Sequence, residues 1–279
     1  MQFASQRMEI KIRKLGIIAG DGDLPIQIIN ECKKQKKDFV VILINGHGTE
    51  ISKSYNPDYI MNLSKIGKAI KFAKTNNITD LVMAGRIKRP SLKDMLPDIW
   101  TARFLAKYAG RIKGDNNALT NLAKELEKEG FNILAPEKFI LKSLCPKGIL
   151  GNQSPTIENK KDIELGFKIA KNIGKNDIGQ SLIIQNGLVL TVEAAEGTDA
   201  MIARSKILKI GDSGAIFIKV IKPGQDERLD RPVIGINTIK SIHEVGLDGM
   251  ALEANSVFIL NLDEVINYAN SNNLFIIGI

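Results

Sequence analysis

Short apolar runs alternate with helical segments through the first half of this chain, and no other feature restricts its fold as strongly. Leu15–Ala19, Asp38–Ile44 and Asp80–Gly85 are rich in β-branched and aliphatic residues, which is typical of strands buried on both faces. Tyr59–Met61 predicts a further short strand, and Ile66–Asn76 has helical spacing. Strands that alternate with helices at this distance form a parallel sheet with helices on its faces. We therefore predict an α/β fold with a Rossmann-like N-terminal domain.

The second half of the chain predicts a separate α/β domain. Between residues 131 and 151, Pro136, Pro146 and Gly148 interrupt the earlier pattern, so we place the domain boundary near residue 137. The first domain then spans residues 14–136 and the second spans residues 137–279. The elements predicted in the second domain are helices at Ile163–Ile173, Asp199–Leu208, Thr238–Val245 and Asp263–Ser271, and strand structure at Ser181–Val192, Ala215–Ile221, Met250–Leu252, Ser256–Ile259 and Leu274–Ile277.

The composition limits the classes of function. A formal net charge of +8 and a pI near 9.3 favour an anionic partner, although a lysine-rich composition without functional meaning would give the same values. Aromatic residues make up only 5% of the chain, so phosphorylated small molecules are better partners than nucleic acid. The two cysteines, Cys32 and Cys145, lie far apart and are expected to be free and buried. With only two histidines, catalysis should depend on carboxylates, Lys and Arg.

A glycine turn follows the first strand and begins like a dinucleotide-binding fingerprint. Gly20, Asp21, Gly22 and Leu24 are the candidate nucleotide contacts, because such a turn brings backbone N–H groups and a helix N-terminus toward phosphate. Pro25 stands where the third glycine would be, and the second strand ends without the acid that binds ribose. We therefore do not expect a nicotinamide cofactor. A purely structural tight turn is the other interpretation.

Two further loops in the first domain contain residues that could bind a phosphate group. Ala84–Pro90 follows a strand and contains three cations, of which Arg89 is a candidate substrate contact through its bidentate fork. Lys113–Asn117 forms a glycine turn before a helix, and Asp115 is either a ligand contact or the residue that caps this helix. A solvated basic loop is the alternative for the first of these segments.

Acidic residues are concentrated where a strand gives way to a helix in the second domain. Glu193, Glu196, Thr198 and Asp199 occupy this junction, in a chain that is basic overall. Side chains at such a junction are well placed to hold a metal ion or a sugar hydroxyl. We expect them to position the substrate or to complete a metal shell.

The most highly charged segment is Lys222–Pro232, which holds six charged side chains in eleven residues. A charged surface hairpin is one interpretation. Interleaved acids and bases also suit a metal-bridged phosphate, with carboxylates for Mg²⁺ and cations for the remaining oxygens. Asp226 and Asp230 are the natural carboxylates for the metal.

Together these segments resemble the LpxI family of UDP-2,3-diacylglucosamine pyrophosphatases, enzymes of lipid A biosynthesis. The resemblance extends from about Leu15 to Gly278. The segments that carry it are Gly20–Pro25, Gly85–Pro90, Lys113–Asn116, Asp177–Gln180, Val192–Met201 and Lys222–Pro232. It implies a Rossmann-like domain and a C-terminal α/β domain of unusual topology, with substrate bound between them. It also implies Mg²⁺-dependent hydrolysis to UMP and 2,3-diacylglucosamine 1-phosphate, with water attacking the β-phosphorus.

The charged residues support a mechanistic hypothesis. Mg²⁺ would be held by Asp230, Asp226 or both, and one of these carboxylates, with Asp230 as the first choice, would orient or deprotonate the attacking water. Lys222, Arg228 and Arg231 would offset the charge that develops on the phosphate. Gln180, Gln225 and Arg231 would contact the substrate. We expect a cytoplasmic protein that meets the anionic inner membrane weakly, and a homodimer is left open. The alternatives are a sugar-nucleotide oxidoreductase and a non-enzymatic nucleotide-binding module.

Overall fold

The computed structural model describes residues 14–87, 96–108, 115–211 and 214–279. The chain forms two compact units. One comprises Met1–Ile112 and Asn121–Pro136, and the other comprises Lys113–Thr120 and Glu137–Ile279. No helix in the described part of the chain is both long enough and apolar enough to cross a bilayer.

The first unit is built on a five-stranded parallel sheet. Its elements are β1 (Leu15–Ala19), α1 (Asp23–Lys34), β2 (Phe39–Ile44), α2 (Thr49–Ser54), β3 (Tyr59–Met61), a 3₁₀ turn (Leu63–Lys65), α3 (Ile66–Thr75), β4 (Asp80–Ala84), α4 (Ile99–Tyr108) and β5 (Asn132–Leu134); α5 (Asp115–Lys128) contains residues of both units. The strand order is β3-β2-β1-β4-β5, and every pair is parallel. The predicted Rossmann-like α/β fold is confirmed. Strands are added on one side of β1 up to β3, and β4 and β5 are added on its other side, so the order of strands reverses between β1 and β4. The loops after these two strands define the ligand-binding position of such a sheet.

The second unit contains a mixed six-stranded sheet. Its elements are α6 (Glu137–Ile140), a 3₁₀ turn (Leu141–Ser143), β6 (Gly148–Leu150), α7 (Ile157–Lys175), β7 (Ser181–Gln185), β8 (Leu188–Val192), α8 (Thr198–Ser205), β9 (Ile216–Lys219), β10 (Val233–Ile234), α9 (Ile236–Glu244), β11 (Gly249–Leu252), β12 (Phe258–Ile259), α10 (Leu262–Ser271) and β13 (Phe275–Gly278). The sheet order is β6-β13-β11-β9-β7-β8, and β10 and β12 form a separate parallel pair. Only the pairs β13–β11 and β11–β9 are parallel in the large sheet. This mixed pattern agrees with the predicted α/β domain of unusual topology.

The apolar run Ser181–Val192, predicted as buried strand, is a hairpin of two strands. Strands β7 and β8 pair antiparallel, and Asn186 and Gly187 between them have φ values of 51° and 79°. Two residues with positive φ form the turn that matches the twist of a hairpin, and Asn-Gly is the dipeptide that adopts it most readily. Strand β7 is fully buried, whereas β8 is partly exposed. The hairpin brings the chain back to the end of the sheet at which β7 begins. Glu193, which follows β8, therefore lies beside Ser181, the first residue of β7.

The longest helix begins earlier than its apolar spacing predicts. Thr156 caps α7 by accepting a hydrogen bond from the Asn159 backbone N–H, and Asn159 in turn caps the Thr156 backbone. This reciprocal capping box satisfies two donors that a helix start otherwise leaves unpaired. Six residues before the predicted start at Ile163 therefore join the helix.

Both cysteines are free and buried, as predicted. Burial raises the pKa of the Cys32 thiol to about 11, and it raises the pKa of the Cys145 thiol to about 12. Both side chains are therefore protonated core residues at neutral pH, in keeping with a chemistry that does not use cysteine.

Candidate active site

The glycine turn after β1 is joined to the loop after β4 through the backbone. Asp21 and Arg86 exchange two hydrogen bonds of 2.8 Å, and Gly20 donates to the Ala84 carbonyl. Gly85 has a φ of 93°, and a Cβ there would lie 2.8 Å from the Asp21 carbonyl oxygen. The two sequence motifs of the first unit are therefore parts of one structure, and glycine is required at the point where they cross.

The Asp21 carboxylate is engaged by the loop that follows β2. Its two oxygens accept a hydrogen bond from the Gly48 backbone N–H at 2.7 Å and lie 2.8 Å from His47 Nδ1. This interaction joins the β1 turn to a third loop at the same edge of the sheet. Asp21 therefore has a structural role in the glycine turn, whatever ligand the turn binds.

Replacing Gly85 with Ala should destabilise the first unit by about 3 kcal/mol, because the substitution combines backbone strain with a clash against the Asp21 carbonyl. Gly130 provides the matched control: its φ is 96°, and a Cβ at that position meets nothing within 4 Å. Gly130→Ala should therefore cost only about 1 kcal/mol of strain. Urea unfolding of the two variants measures both values. Equal destabilisation would show that the crossing of the two loops is not tight.

In the second unit, the predicted site residues converge at one end of the strands of the mixed sheet. We call this end of the strands the carboxyl edge, because β8, β9 and β11 end there and β7 begins there. The pairing is direct, because Glu193 donates its backbone N–H to Ser181 at 2.9 Å and Glu253 donates to Lys219 at 3.0 Å. Residues that are far apart in the sequence are thereby brought to a single edge, which is where open α/β sheets bind ligands.

Glu193 is the buried acid of this edge. Its carboxylate accepts hydrogen bonds of 2.6 Å from the hydroxyls of Ser181 and Thr198, and Lys219 Nζ donates to Thr198 Oγ1 at 2.8 Å. Burial alone would raise the pKa of Glu193, but the charge of Lys219 and the hydroxyl donors outweigh it, and the pKa lies below its ordinary value. Glu193 is therefore an anion held in place by its neighbours.

The other two acids of this junction are exposed. Glu196 accepts a hydrogen bond of 2.8 Å from the Arg204 guanidinium. Hydrogen bonds from the backbone and from Arg204 lower the pKa of Glu196. Asp199 lies in the first turn of α8, whose positive N-terminal end favours a negative charge there. Of the three predicted acids, Glu193 is structural and buried, whereas Glu196 and Asp199 face solvent.

The charged segment Lys222–Pro232 is a loop of consecutive turns, held at both ends. At its start, Lys222 Nζ lies 2.7 Å from Asp177 Oδ1. At its end, the buried Arg231 guanidinium donates to the Asn255 carbonyl at 2.9 Å and to the carboxylates of Glu137 and Glu227. Two cations that the sequence suggested for phosphate thus have structural partners within the second unit.

Between these ends, the central turn of the loop presents the candidate catalytic carboxylates. Arg228 donates to both oxygens of Asp226, at 3.0 and 2.8 Å, and Gln225 Nε2 donates to Asp230 Oδ2 at 2.5 Å. Asp230 also donates its backbone N–H to the Asp226 carbonyl, so both carboxylates belong to one turn. Two carboxylates, Asp226 and Asp230, and the guanidinium of Arg228 between them therefore lie within five residues of a partly exposed loop.

This donor set fits a magnesium ion that the substrate helps to bind. Within the described residues, no cluster of three or more His, Cys, Asp or Glu side chains is arranged to hold a metal by itself. Mg²⁺ in phosphate-handling sites usually takes one or two carboxylates and fills its remaining positions with water and substrate phosphate. Asp226 and Asp230 match that requirement.

The remaining predicted contacts have varied positions. Leu24 is buried in α1, and Gly22, with a φ of 99°, precedes that helix as its cap residue. Gln180 donates its backbone N–H to Glu193, and its Oε1 is buried without a hydrogen-bond partner among the described residues. Arg89 lies outside the described residues, and Asp115 begins α5, where only the backbone is described.

Sequence reasoning did not select several residues of the carboxyl edge. Lys219 is buried at the last position of β9, and Glu253 follows β11 directly. Glu253 lies 2.6 Å from Lys171 Nζ and accepts the Ile221 backbone N–H at 2.9 Å. A charged residue at the end of an otherwise apolar strand was the signal that could have identified Lys219 and Glu253.

The fold and the site define a two-unit α/β protein that combines a Rossmann-like sheet with a charged carboxyl edge on a mixed sheet. The model of the LpxI N-terminal domain matches residues 14–143, and that of the LpxI C-terminal domain matches residues 146–277. The chain is also 33% identical over 276 residues to the UDP-2,3-diacylglucosamine pyrophosphatase LpxI of Caulobacter vibrioides, covering 96% of this chain and 98% of that protein. The chain therefore belongs to the LpxI family.

Proposed function

We propose that this chain hydrolyses the diphosphate of UDP-2,3-diacylglucosamine to UMP and 2,3-diacylglucosamine 1-phosphate, a step of lipid A biosynthesis. The observation that carries the proposal is the turn that holds Asp226, Arg228 and Asp230 at the carboxyl edge. The match of this chain to a pyrophosphatase along nearly its whole length supports the same reaction. An oxidoreductase would leave this turn without a role, and so would a nucleotide-binding module.

Asp226 and Asp230 are the residues that would hold Mg²⁺. The ion, when bound, would neutralise charge on the diphosphate oxygens and orient the reacting groups. In this structure Asp226 is paired with Arg228, so the pair offers a carboxylate for a metal and a cation for phosphate once a ligand separates the two groups. The forked guanidinium of Arg228 suits two phosphate oxygens at once.

Asp230 is our first choice for the residue that activates water. Its carboxylate would accept a proton from the water as the water oxygen bonds to the β-phosphorus and the bond to the UMP oxygen breaks. Gln225 orients this carboxylate through its hydrogen bond. Lys222 and Arg228 would offset the negative charge that develops on the transferred group, which is the largest contribution in most phosphoryl transfers. Arg231 supports the site by holding the end of the loop.

The remaining candidates would position the two ends of the substrate. Glu193 and Thr198 form the rigid base of the carboxyl edge, while Glu196 and Asp199 are exposed and can accept hydrogen bonds from sugar hydroxyls. Gln180 Oε1 offers a buried acceptor for a donor on the ligand. In the first unit, the turn at residues 20–24 and Arg89 remain our candidates for the nucleotide. Asp115, which belongs to the second unit, is a further candidate contact.

The direct test is to incubate the purified chain with UDP-2,3-diacylglucosamine in detergent and measure UMP release. We expect turnover with Mg²⁺, loss of turnover after chelation, and recovery when Mg²⁺ is restored, because metal and cations share the charge of the diphosphate. Folded protein that releases no UMP under any metal condition would overturn the proposed reaction. Turnover unaffected by chelation would overturn only the role of Mg²⁺.

A further inference from the structure

The main chain enters the charged loop Lys222–Pro232 through Ile221, a buried residue just beyond β9. Two side chains bind its backbone. The Ile221 N–H donates to Glu253 Oε2 at 2.9 Å, and the Ile221 carbonyl accepts a hydrogen bond of 3.0 Å from Lys171 Nζ. Lys171 and Glu253 also form an ion pair with each other, at 2.6 Å. Because buried backbone groups need hydrogen-bond partners, the position of Ile221 depends on this pair, which we call the loop clamp.

Both members of the loop clamp belong to elements that are fixed in the second unit. Glu253 directly follows β11, and its backbone N–H donates to the Lys219 carbonyl at 3.0 Å. Lys171 lies on α7, which packs against β7 and β9. One turn further along α7, Gly174 allows the loop to approach the helix closely, because a Cβ there would lie 3.3 Å from Lys222 Cα. The loop therefore begins against a rigid surface.

A series of hydrogen bonds connects the loop clamp to Asp230. The carbonyl of Lys222, the residue after Ile221, accepts the Gln225 backbone N–H at 3.3 Å. Gln225 Nε2 in turn donates to the Asp230 carboxylate at 2.5 Å. A displacement of Ile221 would therefore be passed on to the side chain that orients Asp230.

The turn after β11 holds the far end of the loop as well. Arg231, the residue after Asp230, donates from its guanidinium to the Asn255 carbonyl at 2.9 Å, and Asn255 lies two residues after Glu253. One short segment thus contacts both ends of the loop. Arg231 also donates to two carboxylates, so a change of Glu253 leaves that end held and acts at the start of the loop.

We infer that Lys171 and Glu253 are positioning residues that set the place of the Asp230 carboxylate by holding the Ile221 backbone. This inference rests on the proposed function, because it gives the pair a purpose in the hydrolysis. Without the loop clamp, Ile221 must shift until water can satisfy its N–H, and the turn that contains Asp230 shifts with it. A displacement of about 1 Å at a reacting group can lower a rate about a hundredfold.

Two substitutions of Glu253 test the inference by UMP release from UDP-2,3-diacylglucosamine in detergent. Glu253→Ala removes the acceptor of the Ile221 N–H, so kcat should fall about thirtyfold while KM stays within about threefold. Glu253→Gln retains an oxygen that can accept this N–H, and it should recover most of the lost rate. Glu164→Ala is the matched control, because Glu164 pairs with exposed Lys168 on α7, away from the loop, and its kcat should be unchanged.

Hydrogen exchange followed by mass spectrometry tests the same inference without substrate. In Glu253→Ala, exchange should be about tenfold faster in peptides that cover residues 221–230 and unchanged in β7, where a general loss of stability would also appear. Glu164→Ala should exchange like the unaltered chain in both regions. The comparison of the two regions separates a local effect on the loop from a weakened second unit.

The outcomes distinguish the inference from the proposed function. Unchanged exchange in the loop of Glu253→Ala, or equally faster exchange in β7, would overturn the inference. So would normal kcat in Glu253→Ala, or a loss just as large in Glu253→Gln, since the Ile221 backbone would then not be the point of action. An unaltered chain that releases no UMP would instead count against the proposed reaction, and the exchange measurement would still decide whether the clamp holds the loop.

Discussion

Asp230→Asn lowers the rate of UMP release about a thousandfold if the Asp230 carboxylate accepts the proton of the attacking water, because the amide cannot take that proton and is a weaker metal ligand. The substitution preserves the shape of the side chain and its place beside Gln225. Substrate binding should therefore fall much less than turnover. The measurement is single-turnover UMP release, together with calorimetric binding of the substrate.

Glu244→Gln provides a matched control for Asp230→Asn. Glu244 is an exposed acid at the end of α9, and its amide variant should retain full activity. Turnover within a few-fold of normal in Asp230→Asn would remove Asp230 from the catalytic role. The rate of UMP release should then be measured for Asp226→Asn. A larger loss in that variant would assign the action on water or metal to Asp226.

Lys219→Met should destabilise the second unit by about 3 kcal/mol at neutral pH. The substitution leaves the Glu193 carboxylate buried without the cation that offsets its charge, and an uncompensated buried charge is among the most costly defects in a protein. Chemical unfolding of the purified variant measures the loss. Lys168→Met is the control: Lys168 forms an exposed ion pair with Glu164 on α7, and its loss should leave the stability nearly unchanged because solvent screens the pair.

The pH dependence of the Lys219→Met effect has a definite sign. In the unaltered chain the pKa of Glu193 lies below its ordinary value of 4.5, so the stabilisation is present above that value and is lost as the pH falls through the lowered pKa. Without Lys219, burial should raise the pKa of Glu193. The variant should then lose stability as the pH rises through the raised pKa, so the difference between the two proteins is largest at neutral pH.

Adding Glu193→Gln to Lys219→Met tests the cause of this loss. The double variant has no buried charge at this position, so it should recover much of the lost stability and lose the pH dependence. A double variant as unstable as Lys219→Met at every pH would show that the lysine acts through packing of its methylene chain. The charge of Glu193 would then not explain the cost.

Where local sequence determines an element, the sequence predicts it well. Strands β1, β2 and β4 were identifiable because each is a short run of β-branched and aliphatic residues, which is typical of a strand buried on both faces. Strand β12 was predicted within Ser256–Ile259, whereas β10 was not, because its two residues carry no periodicity and its pairing with β12 depends on contacts between distant segments. The hairpin at Asn186 had a recognisable Asn-Gly signal, and Thr156 and Asn159 had the spacing of a capping box.

The candidate site likewise contains features that the local sequence predicts and features that depend on tertiary contacts. The spacing of Asp226 and Asp230 and the acids after β8 were visible in the chain, because each group lies within a few residues. The partners of the cations were not visible: Lys222 pairs with Asp177, and Arg231 pairs with Glu137, across separations of 45 and 94 residues. Lys219 reaches Glu193 only because β9 lies beside β7, and the order of strands in a mixed sheet depends on tertiary packing.

The crossing of Gly20 and Gly85 has a consequence for engineering. Because the two loops share backbone hydrogen bonds and leave no room for a side chain where they meet, neither can be lengthened, transplanted or randomised by itself. A change in nucleotide preference that acts through the first unit would require both loops to be redesigned together as one rigid insert. The Asp21 carboxylate extends that insert to Gly48, so the smallest exchangeable module of this unit consists of three loops.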